Sequence, residues 1–397
     1  MDIETPVVFC KKCVISNQRP SSVVEFNKDS INKKQTIIMD DKGICSACNY
    51  AEKKNKNIDW EKREQELIIL CDKYRSRNGS YDCIIPSSGG KDSAFTSHIL
   101  KYKYNMNPLT VTWAPHEYTE IGWQNFQKWI EIGGFDNVLI TPNGRVHRLL
   151  TKLAFKNLCH PFQPFIIGQK IVGPRLALQN KIPLIFYGEN QAEYGNDVGD
   201  NETSIMDNKF FHGSQHNKDL LIGGVPADKL ITDYKIRESD LSLYKPIENK
   251  QNLDLNMHYL GYFLKWDPQE MYYYAVENTG FMPNSERTEG SYSKYSGIDD
   301  KMDTLHYFTS FIKFGLGRAS YDASQEIRNK KITREEGVSL VKKYDAEAPN
   351  KYLEDMLNYM DISNDDFWEI IDKNRSKKLW KKENNSWVLS HQVNNNP

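Results

Sequence analysis

The sequence predicts an α/β protein: a parallel sheet flanked by helices, preceded by a small cysteine-bearing module and followed by a mainly helical region. Three observations carry that prediction. Strand-like and helix-like segments alternate through the middle of the chain, a glycine turn falls where a strand gives way to a helix, and two Cys-x-x-Cys pairs lie ahead of both.

The first element is the cysteine module, taken as residues 1–57. Cys10-Lys11-Lys12-Cys13 and Cys45-Ser46-Ala47-Cys48 offer four thiolates in two knuckles, and Gly43 eases the turn into the second. Four soft ligands suit tetrahedral Zn²⁺ and leave no open coordination position, so the expected role is structural. An iron–sulfur cluster or unliganded thiols are the alternatives. Lys53 to Asn57 reads as a linker, and Ile58 to Arg77 as a helix leading into the next domain.

The central domain is expected over residues 58–224. Its strands are Tyr81 to Pro86, Pro108 to Trp113, Asn137 to Ile140 and Ile182 to Tyr187. Helices are expected from the glycine turn to about Tyr104, from Glu117 to Ile132, through Phe155, and from Pro164 to Asn180. Such alternation predicts ligands at the carboxyl ends of the strands. The segment Tyr187 to Gly195 follows a strand and lies on that edge, where Glu189 and Glu193 could position magnesium or substrate. From Glu189 to Gly224 the sequence is polar and irregular, as functional loops often are.

Residues 225–397 form the third expected region. Met257 to Trp266 is rich in aromatics, and Pro268 opens a helix to about Glu277. Asp303 to Arg375 reads as several helices, among them Asp322 to Asn329, Thr333 to Tyr344 and Ser363 to Asn374. Thr333-Arg334-Glu335-Glu336 has the form of a capping box, and Gly315 and Gly317 mark a turn. Val393 to Pro397 is expected to fray.

Composition narrows the function. The 397 residues carry 52 basic and 53 acidic side chains, a formal charge of -1, so no global field draws the protein to nucleic acid. No run of about 18 apolar residues is present and the amino terminus lacks the regions of a secretory signal. Membrane insertion is therefore not expected, and the expected compartment is the cytoplasm. Seven cysteines, an odd number, argue against a disulfide framework.

The glycine turn carries the chemistry. In Ser87-Ser88-Gly89-Gly90-Lys91-Asp92-Ser93 the glycines let backbone N–H groups approach a triphosphate, and the helix that follows turns its positive end toward the same anion. Lys91 adds a point charge, while Ser88 and Ser93 offer hydroxyls. Asp92 would be repelled by phosphate unless a cation lay between them, which assigns it to Mg²⁺. A Walker A loop needs Ser or Thr directly after Gly-Lys, and Asp92 stands there instead. The segment resembles the PP-loop of enzymes that split ATP between the α and β phosphates. By that resemblance Ser88, Gly89, Gly90, Lys91, Asp92, Ser93, Thr112, Trp113 and Gly188 bind ATP, with Lys91, Asp92 and Glu189 catalytic.

Further motifs extend the resemblance over most of the chain. They are Cys10-x-x-Cys13 with Arg19-Pro20, Gly43-Ile44-Cys45-x-x-Cys48, Gly188-Glu189-Asn190-Gln191, Lys265-Trp266-Asp267-Pro268, and Phe311 to Arg318. Asp322 to Arg328 and Ile332 to Gly337 belong with them. Together with the PP-loop they resemble the N-acetyl sugar amidotransferase family of bacterial surface-polysaccharide and nonulosonic-acid biosynthesis. The resemblance implies adenylation of an acetamido oxygen, attack by ammonia, and release of AMP and pyrophosphate, with ATP, Mg²⁺ and Zn²⁺ required. It also implies glutaminase and cyclase-like partners, because residue 2 is Asp2 rather than a nucleophilic cysteine. Glu193, Lys265, Lys313 and Arg318 are the candidates for holding the sugar, which could be nucleotide-linked; His116, His147 and His160 are candidate proton carriers or structural residues. A tRNA-thiolating PP-loop enzyme is the rival reading, since such proteins also join adenylation to Cys-x-x-Cys modules.

Overall fold

The computed structural model describes residues 6–27, 35–189, 191–195, 203–214, 216–248 and 255–394, the side chain at 191 excepted. Asp2, Asn190, much of the polar stretch after Glu189 and the last three residues of the expected frayed end lie outside the described residues.

Helices α1 (Ser46–Lys56) and α2 (Trp60–Tyr74) precede the sheet. The central unit then runs β1 (Cys83–Pro86), α3 (Lys91–Tyr102), β2 (Pro108–Trp113), α4 (Glu120–Gly133), β3 (Asp136–Ile140), α5 (Gly144–Leu158), α6 (Gln163–Asn180) and β4 (Leu184–Tyr187). After a short ribbon, β5 (Leu221–Ile222) with β6 (Val225–Pro226), come α7 (Ala227–Asp233), β7 (Asn256–Tyr259), α8 (Leu260–Phe263) and α9 (Pro268–Thr279). The last part contains α10 (Asp303–Phe314), α11 (Arg318–Arg328), α12 (Arg334–Tyr344), α13 (Leu353–Met360), α14 (Asn364–Lys373) and the hairpin β8 (Trp380–Glu383) with β9 (Ser386–Leu389).

The sheet has the order β3-β2-β1-β4-β7 and every pairing in it is parallel. Alternation of side chains across the pleat builds both faces. Ile84 and Ile185 enter the core formed with α5 and α6, while Cys83, Ile85, Leu184 and Phe186 pack against α2, α3, α8 and α9. Sequence order reverses between β1 and β4, and the loops after these two strands meet at the carboxyl edge, where open α/β sheets bind ligands.

Several boundaries differ from expectation. The residues read as a linker, Lys53 to Asn57, mostly complete α1, because Lys54 is fully buried rather than solvated. The aromatic-rich stretch supplies a fifth strand, so the sheet draws on residues beyond 224. The carboxyl-terminal hairpin carries too few alternating residues to stand out in the sequence. Other features agree: Thr333 and Glu336 form the capping box, and Gly315 ends α10 with a φ of +67°.

Candidate functional site

Ser87 to Gly90 leave the end of β1 and turn into α3. Gly89 has a φ of +81°, and a Cβ there would lie 2.8 Å from the Cα of Phe126, so only glycine fits. The Ser88 N–H donates to Ser93 Oγ at 3.2 Å, and Ser93 Oγ donates to the Gly90 carbonyl at 3.0 Å, which locks the turn. Gly90 caps α3 without a side chain, leaving the first amide groups of the helix to an anion. Lys91 is paired with Asp92, whose Oδ1 is buried and has no hydrogen-bond partner. An orphaned carboxylate oxygen beside an anion cradle fits a divalent cation.

Across the edge, Glu189 follows β4. Tyr194 donates to Glu189 Oε1 at 2.8 Å, and burial together with the nearby Asp92 carboxylate raises the Glu189 pKa. Two cavities meet at these residues. One, of about 320 Å³, runs from Ser87, Gly90, Asp92 and Ser93 past Trp113, Lys170 and Glu189. The other, of about 530 Å³, lies between the same loop and α10 and α11, with Arg318, Asp322 and Glu326 on its far side. Ser88, Gly90, Asp92, Glu189, Asp299 and Asp303 line both.

The structure redistributes the expected residues. Trp113 lines the smaller cavity, but Thr112 does not: strand alternation turns its hydroxyl to Asn137, which donates to it at 3.0 Å. Gly188 lines the smaller cavity and Arg318 the larger, the latter ion-paired to Asp322 at 2.9 Å. Glu193 lines neither, being held by the buried Lys54 ammonium at 3.0 Å. Lys265 is exposed. Lys313 donates to the Leu158 carbonyl at 3.1 Å and lines a separate cavity. His116 is buried against Asp300 at 2.7 Å and His147 against Tyr244 at 2.8 Å, and neither lines either cavity.

Three residues were missed by sequence reasoning. Asp299 reaches the loop from the irregular segment before α10, which crosses α4 where Gly122 leaves no room for a Cβ beside the Asp299 backbone, and Asp303 reaches it from the first turn of α10. Burial and the neighbouring Asp300 raise both their pKa values. The run Gly297-Ile298-Asp299-Asp300 was the available signal, with no spacing to connect it to the loop. Lys170 stands with its ammonium 5.0 Å from the Tyr187 ring centre, and burial lowers its pKa.

Outside the lining of both cavities, the sulfurs of Cys10, Cys13, Cys45 and Cys48 lie within 4.8 Å of one another and are all buried. The Cys10–Cys48 and Cys13–Cys45 sulfur separations are 3.9 and 3.7 Å. A tetrahedron with metal–sulfur bonds of about 2.3 Å has edges of about 3.8 Å. Backbone N–H groups of Lys12 and Cys45 donate to Cys10 Sγ at 3.4 and 3.3 Å, as they do to metal-bound thiolates. These residues fit a single metal ion.

Residues 289–394 match the family model described as "LPS biosynthesis protein WbpG-like, C-terminal domain". That match supports the family resemblance drawn from the sequence. The matched segment contains Asp299, Asp303, Arg318 and Asp322, so the domain contributes one wall of the larger cavity. Over 78 residues the chain is 37% identical to an uncharacterized protein of Methanocaldococcus jannaschii, spanning 20% of this chain and 27% of that protein's length. Among solved structures, the NH3-dependent NAD synthetase of Campylobacter jejuni is 13% identical, with 48% of this chain and 80% of that one covered and a TM-score of 0.28. NMN synthetase of Francisella tularensis is 11% identical, covering 69% and 94%, with a TM-score of 0.31. The U34-tRNA thiolase NcsA of Methanococcus maripaludis, determined with its [4Fe-4S] cluster, is 12% identical, covering 76% and 86%, with a TM-score of 0.30. Likenesses this distant carry no argument about chemistry. The loop and the domain match support an ATP-using enzyme. Among the described residues no helix is long and apolar enough to cross a membrane.

Proposed function

We propose that the protein is an ATP-dependent amidotransferase that converts the acetamido group of an N-acetyl sugar into an acetamidino group. The observation that carries this reading is the pair of cavities meeting at Ser88, Gly90, Asp92 and Glu189. Nucleotide bound from the smaller cavity would present its phosphates at the loop, and an acceptor in the larger one would approach them from the opposite side.

An acetamido carbonyl is a poor electrophile and its oxygen a poor leaving group. In this reading the carbonyl oxygen attacks the α phosphorus and pyrophosphate leaves, held by Lys91, Ser88, Ser93 and the amide groups of the first turn of α3. Ammonia then adds to the activated carbon, and AMP departs with the former carbonyl oxygen. Asp92 and Glu189 would hold Mg²⁺, which when bound neutralises phosphate charge. The cysteine quartet would hold structural Zn²⁺. Ammonia would come from a glutaminase with a cyclase-like conduit subunit, and cytoplasmic ATP fits the proposed location. The tRNA-thiolating alternative requires a reactive cysteine, whereas Cys71, Cys83 and Cys159 are buried, burial raises each thiol's pKa, and none lines either cavity.

The test is pyrophosphate release from ATP and Mg²⁺ with ammonium chloride, across free and nucleotide-linked N-acetyl sugars and bulk tRNA. Sugar-dependent release with a product in which NH replaces O is expected. Release with tRNA alone would replace this reading by thiolation.

A further inference from the structure

A third cavity of about 190 Å³ opens between the segment Pro20 to Glu25 and α10. Its inner wall is made by His306, Ser310 and Tyr321, and the same three residues line the larger active-site cavity. We propose that this third cavity is the entry route by which ammonia reaches the activated carbonyl, separate from the openings used by ATP and sugar. The inference rests on the amidotransferase reading and adds to it the path of the third reactant.

In the amidotransferase reading both cavities at the loop are assigned, ATP to the smaller and sugar to the larger, so a third reactant needs its own approach. The cavity, at about 190 Å³, is too small for a sugar nucleotide, and Ser21, Ser22, Thr309 and Ser310 among its lining residues suit a small hydrogen-bonding molecule. His160 lies within it, 3.5 Å from Glu25 and stacked on His306 at 5.3 Å between ring centres, so polar groups continue from the half-buried mouth to the shared wall. Lys313, expected from sequence to hold the sugar, lines this route instead. Glu25 lines it as well, so the route carries charged groups of both signs along which a small polar molecule can hydrogen-bond. The mouth at Ser21 and Ser22 is then the surface to which a nitrogen-supplying subunit would deliver.

Ser21 lines this cavity and neither of the others, and Ser310 lies at the shared wall. The experiment measures sugar-dependent pyrophosphate release against ammonium chloride concentration for the full chain, Ser21→Trp and Ser310→Leu, with melting temperatures confirming that each is folded. Ser21→Trp is expected to raise the half-saturating ammonium concentration tenfold or more while leaving those for ATP and sugar unchanged, and Ser310→Leu, at a wall shared with the sugar cavity, is expected to raise those for both ammonium and sugar. A wild-type enzyme that works, beside a folded Ser21→Trp with unchanged ammonium dependence, would overturn the route and leave the reaction standing. Failure of the wild type to release pyrophosphate with any N-acetyl sugar would overturn the reaction and the route with it.

Discussion

Asp92 separates activity from stability more cleanly than any other residue of the loop. Its side chain is partly exposed, it is ion-paired to the adjacent Lys91, and its Oδ1 has no protein partner, so its charge ties no distant parts of the fold together. Asp92→Asn should therefore lower pyrophosphate release by about 100-fold or more, the scale of a lost electrostatic contact at a reacting phosphate. Its melting temperature should stay within about 2 °C of wild type, as expected for a substitution outside the core. Equal activity in the variant would remove Asp92 from the mechanism. Asp345 presents the opposite case. It accepts hydrogen bonds from Gly317 N–H, Ser320 N–H and Ser320 Oγ–H, yet burial outweighs them and pushes its carboxyl from 3.8 up to about 6. Between those values the folded chain keeps a proton that the unfolded chain has lost, so this group's contribution to stability falls as pH rises and the penalty is complete above about 6. That rise corresponds to about 3 kcal/mol. Asp345→Asn removes that titration. Urea unfolding across this range should show the variant gaining on wild type by up to about 3 kcal/mol between acid and neutral pH, and parallel curves would reject the assignment. The loop residues were legible because a contiguous motif states its own chemistry. Asp299, Asp303 and Lys170 were not, because only the fold carries them to the loop.

Helix α1 shows how one element can support a distant site. Lys54 donates to both oxygens of Glu193 at 3.0 Å, to the Trp266 carbonyl at 2.9 Å and to Asn329 Oδ1 at 3.2 Å. Ser46, at the start of the same helix, donates to the Gly195 carbonyl at 3.1 Å. Between Glu193 and Gly195 sits Tyr194, which holds Glu189. The cysteine module thus braces the turn that presents Glu189 to the loop. Lys54→Met should destabilise the protein by about 3–5 kcal/mol, since it leaves a buried carboxylate uncompensated. Adding Glu193→Gln should recover part of that loss, which denaturant unfolding of the two singles and the double would reveal. Additive losses would show that the pair is not coupled. Metal removal acts on the same brace: a strong chelator should release one equivalent of zinc per chain, measured by a colorimetric metal assay, and lower the melting temperature. A chain purified without metal that melts at the same temperature would count against a structural ion. Strands β1 to β4 were legible from short apolar runs separated by helical periods. The linker reading at Lys53 to Asn57 failed because a charged run ordinarily marks a solvated surface, and only the tertiary partners of Lys54 reverse that rule.

At the scale of the whole molecule, the matched carboxyl-terminal domain cannot be regarded as an appendage. Ile298 packs with Phe126, Trp129 and Phe281 beside α4, while Met302, Leu305 and Phe308 share a core with Phe155 and Phe162 at the end of α5. Leu316 packs into the cysteine module, and Arg328 donates to the Glu193 carbonyl at 3.0 Å. All three expected regions therefore pack on one another, and the second and third together line the larger cavity. A chain ending at residue 288 would expose the apolar surfaces of α4 and α5 to water, leave Asn329's bond to Lys54 unmade and remove Asp299, Asp303 and Arg318 from the cavity walls. Contiguous apolar exposure of this kind drives association rather than a stable smaller domain. Residues 1–288 should accordingly be recovered aggregated, or soluble without a cooperative thermal transition, and should not bind ATP. Near-ultraviolet circular dichroism and a melting curve decide the matter. A cooperative transition with ATP-dependent stabilisation would show that the phosphate loop folds and works without the carboxyl-terminal wall, and would confine that wall's role to the acceptor.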